Sequence, residues 1–226
     1  MSNVTVSGYD YVSFWREEEL GIIVLRTDSS GKINPKVMGE LMMSLGNASI
    51  DDKVQAVALT GQNFVFCKGL LDVPGNTVDL LDTARGLAST LASIEKPTFA
   101  LINGDAFDFG YELALLTDQI YVSKGSRVGF YREYSYILGG SLSGQRFNEL
   151  SRVEADTGKN CDKVLEKDTF LEDSREIIKK ARSRLLVSRR KIRLKFLTDA
   201  LNAEHLEFQR HSVNEKFGKE LKEGGN

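Results

Sequence analysis

Residues 103–118 read NGDAFDFGYELALLTD, where small and flexible residues break off an apolar strand and an apolar helix begins at once. The strand before it is expected over residues 98–102, placed after Pro97, and the helix after it carries Leu113, Ala114, Leu116 and Ile120 inward at helical spacing. The first N–H groups of a helix have no partner inside it, and together with the helix dipole they suit the stabilisation of a developing negative charge. Glu112, in the first turn, adds a carboxylate that can carry a proton. The plainer alternative is a strand-to-helix turn with a solvent-facing Glu112. A second segment, residues 66–72 (FCKGLLD), follows a strand expected at 54–60 and a turn at Gly61. Two adjacent parallel strands ending in Gly-centred turns would each offer one N–H to the same oxygen.

The chain has 226 residues, 41% hydrophobic and 27% charged, enough for one globular unit with a sizeable core. No apolar run reaches membrane-spanning length and the first residues, MSNVTVSGYDYVSFW, lack a signal-peptide pattern, so a cytoplasmic protein without membrane contact is expected. Cys67 and Cys161 give neither a disulfide framework nor metal-ligand spacing, and His205 and His211, six positions apart, do not stack on one helix face. No metal is expected. Cys67 in the first turn reads as a small packing residue rather than a nucleophile. The segment from Lys179 to Lys195 is the most basic, yet the net charge of −2 and the absence of interleaved aromatics argue against a nucleic-acid surface.

Strands expected at 21–26, 54–60, 98–102 and 119–123 alternate with helices. One helix carries Val37, Leu41 and Leu45 on its apolar stripe; the next carries Leu81, Ala84, Leu87, Ala88 and Leu91. Such alternation predicts an α/β fold with a parallel sheet and right-handed crossovers. From about residue 171 the pattern is helical and charged, with one stripe through Leu171, Ile177, Ile178, Ala181 and Leu185 and another through Ile192, Phe196, Leu197, Ala200, Leu201 and Phe208. Residues 1–150 therefore read as the core and 151–226 as a shortened helical region whose apolar stripes suit packing on a neighbouring subunit, for oligomerisation, or back on the core.

Beyond these patterns the chain resembles the crotonase, or enoyl-CoA hydratase/isomerase, superfamily. Its members carry "AGAD" or "CxGLD" in the first turn and "NGxAxGGGxELAxxxD" in the second. Cys67, Gly69 and Leu70 match the first pattern, and Asn103, Gly104, Ala106, Gly110, Glu112, Leu113, Ala114 and Asp118 match the second. The match runs without a gap from Lys96 through Val128, Gly129 and Gly140 to Gln145, Arg146 and Phe147. The resemblance implies a crotonase-like spiral of ββα units with C-terminal helices, a homo-oligomer (trimer or dimer of trimers), and an acyl-CoA thioester as substrate, with coenzyme A part of that substrate and no separate cofactor.

Carried over residue by residue, the N–H groups of Leu70 and Phe109 grip the thioester oxygen and Glu112 moves a proton. Lys68, Gly69, Asp108, Gly110 and Arg132 fall where substrate is bound, and parts of the basic 179–195 segment could meet CoA phosphates. The activity implied first is enoyl-CoA hydration; the alternatives are a double-bond isomerase working with one carboxylate and a non-catalytic member that binds acyl-CoA or scaffolds a partner. Four departures bear on this. Asp108 and Phe109 replace the first two glycines of GlyGlyGly, and a non-Gly residue there narrows the allowed backbone. An Asp at this place usually serves as a helix N-cap, and the Phe109 ring would line or close the acyl pocket. Where hydratases carry their second catalytic Glu the register places Arg132, with Tyr131 in place of Pro and Glu133 one residue later, where a one-residue bulge would bring it into the site as the second catalytic carboxylate. The tail after Arg146 and the loop at 73–77 are shortened.

Overall fold

A computed structural model of the chain describes residues 4–71, 77–131, 153, 157–188 and 199. The chain begins with an antiparallel meander, β1 (Val4–Gly8), β2 (Val12–Glu17) and β3 (Leu20–Leu25), whose connections are too short for a parallel crossover. Three pairs of strands follow. β4 (Ala56–Gly61) leads into β5 (Val65–Cys67), β6 (Thr98–Ile102) into β7 (Asp105–Phe107), and β8 (Gln119–Ser123) into β9 (Val128–Gly129). The first strand of each pair joins a seven-stranded sheet of order β1-β2-β3-β4-β6-β8-β10, and the second joins a three-stranded sheet of order β5-β7-β9.

Helices α1 (Pro35–Ile50), α2 (Thr77–Ser93) and α3 (Phe109–Leu115) close successive coils of this ββα spiral. The first coil, β3 then α1, offers the small sheet only Ile33, which bridges in parallel to Leu70. All pairs from β3 onward are parallel, as the alternation predicts; the sheet is mixed because β1 and β2 precede them.

Local sequence explains the boundaries. Asn34 caps α1 by accepting from Lys36 N at 2.9 Å and Val37 N at 3.1 Å, and Pro35 stands where a missing N–H costs nothing. At its far end Lys96 Nζ donates to the carbonyls of Ala48 and Asp51, both at 2.7 Å. The buried faces of α1 and α2 hold Val37, Leu41 and Leu45, and Ala84, Leu87, Ala88 and Leu91, as expected from the spacing; the Leu81 side chain lies outside the described residues. These faces, α3 and the small sheet cover one side of the large sheet. On the other side Ala56, Ala58, Phe99, Leu101 and Tyr121 form a second cluster under Phe170 and Ile178.

That cover comes from α4 (Phe170–Ser188), whose buried residues Phe170, Ser174 and Ile178 repeat every fourth position. At the first turn of the helix Phe170 takes the buried place, and Leu171, expected on the buried stripe, is 43% exposed. Strand β10 (Lys163–Leu165), preceded by a 3₁₀ turn at Thr157–Asn160, pairs with β8, so the sheet continues past residue 150. Ile120 is a second correction: α3 ends at Leu115, and Ile120 is buried from β8. The expected apolar stripe of residues 192–208 lies outside the described residues. Among the described residues no helix is long and apolar enough to cross a membrane.

The coils meet backbone to backbone at glycines. A Cβ on Gly104 would lie 1.8 Å from the Phe64 carbonyl oxygen, whereas one on Gly46, on the open face of α1, meets nothing within 4 Å. Gly104→Ala is therefore expected to lower stability by about 3 kcal/mol, because backbone must move. Gly46→Ala is expected to raise it by about 0.5–1 kcal/mol through lost unfolded-state freedom. Denaturant unfolding of both variants checks the pair of signs.

Candidate active site

The first turn follows β5. Lys68 N donates to Gly31 O at 2.7 Å, Ile33 N to Gly69 O at 3.1 Å and Leu71 N to Ile33 O at 2.8 Å. In a parallel bridge, the residue between the two bonded neighbours directs its own N–H and C=O to the opposite side. Leu70 is that residue, so its N–H points away from Ile33, and among the described residues it meets no acceptor. Gly69 has φ +127°, a backbone that side chains disfavour.

The partner loop is held by Asp28, whose carboxylate accepts from Ser30 N at 3.0 Å, Ser30 Oγ at 2.7 Å and Lys32 N at 2.8 Å. Burial alone would raise its pKa; the bonds from Ser30 and Lys32 outweigh burial and hold it below the ordinary value.

The second turn joins β7 to α3. Asp108 has φ 46° and ψ −119°, a region that favours glycine. Its N–H donates to Gly129 O at 3.1 Å and its carbonyl accepts from Glu112 N at 2.9 Å. The side chain does not cap α3, contrary to the sequence expectation; with this backbone, Oδ1 instead accepts from Tyr131 N at 3.0 Å. Phe109 is the first helical residue, and among the described residues its N–H has no acceptor. Its ring is buried in the main core. With only seven residues in α3, the local amides rather than a long helix dipole supply the polarity at this point.

Parallel pairing of Val65 with Asp105 and of Cys67 with Ala106 places the two turns side by side. Gly110 makes the approach close: a Cβ there would lie 2.0 Å from the Cys67 carbonyl oxygen. Asn103 fastens the preceding loop, accepting from Gly61 N at 3.2 Å and donating to Gly61 O at 2.6 Å. Asp118 takes Thr98 N at 2.7 Å and Thr98 Oγ1 at 3.1 Å, so both motif residues serve the scaffold. Glu112 is 0% exposed, which excludes the solvent-facing alternative. It stands three positions after Phe109, on the same side of α3.

Lys68 Nζ lies 3.9 Å from Asp105 Oδ2, and Asp105 also takes Arg127 Nη2 at 2.8 Å. Arg132, Glu133, Tyr134 and Tyr136 lie outside the described residues. Lys179 pairs with Glu18 at 3.4 Å and Arg175 with Glu17 at 3.0 Å around a crevice of about 150 Å³. That crevice adjoins Leu20 and Ala56, at the amino ends of β3 and β4, and none of its lining residues belongs to the two turns. Among the described residues no group of three His, Cys, Asp or Glu is placed to hold a metal ion. The support given by Gly129 and Tyr131 had no sequence signal except Asp108 itself, a carboxylate where the motif has glycine.

The two adjoining turns and the buried Glu112 belong to a chain with recognisable relatives. Residues 17–136 match the enoyl-CoA hydratase/isomerase family model. The chain belongs to that family. A stretch of 118 residues is 29% identical to "Probable enoyl-CoA hydratase 1, peroxisomal" of Arabidopsis thaliana, covering 50% of this chain and 44% of that protein. Another of 140 residues is 30% identical to the peroxisomal bifunctional enzyme of Cavia porcellus, covering 60% and 19%. The matches thus span less than half the length of these curated relatives. The crystal structure of enoyl-CoA hydratase from Bacillus halodurans superposes with a TM-score of 0.75 at 17% identity, covering 94% of this chain and 99% of that one. This family member has the crotonase-like α/β fold.

Burial pushes the Cys67 thiol up to about 12, with the nearby Asp108 and Asp28 charges adding to the rise. The unfolded thiol ionises near 9.0, so its contribution to stability is complete below that pH and is lost as pH rises toward about 12. In the folded protein Cys67 is expected to stay unlabelled by iodoacetamide at about pH 8 and to react after denaturation. Peptide mass mapping reads this; labelling of the native protein would show an open thiolate instead.

Proposed function

We propose that this chain binds an acyl-CoA thioester with its carbonyl oxygen between the N–H groups of Leu70 and Phe109, and that it hydrates a 2-enoyl-CoA with Glu112 as the proton carrier. The reading rests on one observation: a fully buried carboxylate, Glu112, stands one turn into the helix whose first N–H adjoins the Leu70 turn. Two donors on the thioester oxygen draw electrons from the conjugated double bond and leave the β carbon electrophilic. Water adds there while Glu112 takes its proton. The double-bond electrons move onto the thioester oxygen as an enolate, and collapse of that enolate takes a proton at the α carbon from Glu112.

Lys68, part-exposed beside the first turn, is the cation nearest in sequence to the donors and is proposed to face the CoA phosphates. A trimer or dimer of trimers accompanies this reading. A second reading, double-bond isomerisation, is favoured by Glu112 being the one fully buried carboxylate among the described residues, since a single group suffices to move one proton between two carbons.

Absorbance of the conjugated thioester of crotonyl-CoA decides between them. Hydration that falls by about 10²–10⁴-fold in Glu112→Gln, with acyl-CoA binding kept, supports the hydratase. Conversion of 3-enoyl-CoA without hydration moves the assignment to the isomerase. Binding without either reaction leaves an acyl-CoA-binding scaffold and ends the catalytic reading.

A further inference from the structure

We propose that Asp108 is a positioning residue for the Phe109 amide, its carboxylate doing by a hydrogen bond what glycine would do by conformational freedom. This rests on the reading above, in which that amide holds the thioester oxygen. Asp108 occupies φ 46°, ψ −119°, and a non-Gly residue keeps such a backbone only where its surroundings over-determine it. Here they do. The Asp108 N–H is tied to Gly129 O, its carbonyl to Glu112 N and its Oδ1 to Tyr131 N, so three separate bonds fix one residue to β9, to α3 and to the segment after β9.

With both flanking peptides fixed, the direction of the Phe109 N–H is fixed as well. The carboxylate also brings a charge to the turn, felt at Cys67 at the end of β5. Negative charge beside a developing oxyanion opposes it, so the side chain serves through its acceptor oxygen and not through its charge.

The variants Asp108→Asn, Asp108→Gly and Asp108→Ala separate these effects, each checked for folding by its thermal unfolding midpoint. Asn keeps an acceptor and removes the charge, Gly permits the backbone but loses the bond, and Ala loses both. The expected order of kcat is Asn at or above the parent, then Gly, then Ala, with Ala lower than the parent by about ten-fold or more and KM changed less than kcat. A loss in Asn equal to that in Ala would overturn the proposal by making Asp108 an acid or base. Equal kcat in the parent and Gly would overturn it by making the bond irrelevant, and this comparison stands even where Ala does not fold.

The infrared carbonyl stretch of bound carbonyl-labelled butyryl-CoA gives a readout independent of turnover. A shift to lower wavenumber in the parent and in Asn, smaller in Gly, supports the positioning role even when no enoyl-CoA is converted, in which case the hydratase reading alone fails. The same shift in parent and Gly, or no shift in the parent, overturns the positioning role whatever the turnover.

Discussion

Close backbone contact between successive coils is the constraint on which the rest depends. The loop after β4 lies against Gly104 and the end of β5 against Gly110, and within the second coil the start of β5 lies against Gly61, with no room for a Cβ at any of the three. Strands of two or three residues, such as those of the small sheet, are too short to stand without support. Their order comes from these glycine contacts and from the paired Asn103–Gly61 bonds. Once the coils are seated, the free side of Leu70 and the first amide of α3 have nowhere else to be.

Roles within the site are divided accordingly. Most of the recognisable motif residues are structural: Asn103 clamps, Asp118 ties β6 to the turn before β8, and the glycines permit approach. In the proposed reaction the chemistry falls to a few atoms, two main-chain N–H groups and one carboxylate. That division explains how Leu70 and Phe109 are tolerated at donor positions, since their side chains turn to the core while their amides remain.

The four central parallel strands, the apolar stripes of α1 and α2 and the two turns were legible from period and punctuation, because burial on both faces leaves near-continuous apolar runs such as 98–102. The end of α3 was not, because Leu116 and Ile120 keep a helical spacing across a chain that has already become a strand. Leu171 was misplaced because two adjacent apolar residues, Phe170 and Leu171, compete for one buried place at the first turn of α4, and Phe170 takes it. The use of Asp108 was hidden because its partner, Tyr131 N, is 23 residues away and is a main-chain atom that no side-chain pattern encodes.

The spiral has a consequence for how the protein comes apart. Gly31 and Ile33 of the first coil bond Lys68, Gly69 and Leu71 of the second, Gly110 of the third packs on Cys67 of the second, and Asp108 of the third bonds Gly129 of the fourth. A site threaded through four layers has no independent hinge on which to open. The bonded amides that hold the two turns, those of Ile33, Lys68, Asp108 and Glu112, should exchange with solvent only as the layers separate, so the free energy that protects this arrangement approaches that of the whole domain rather than that of a surface loop.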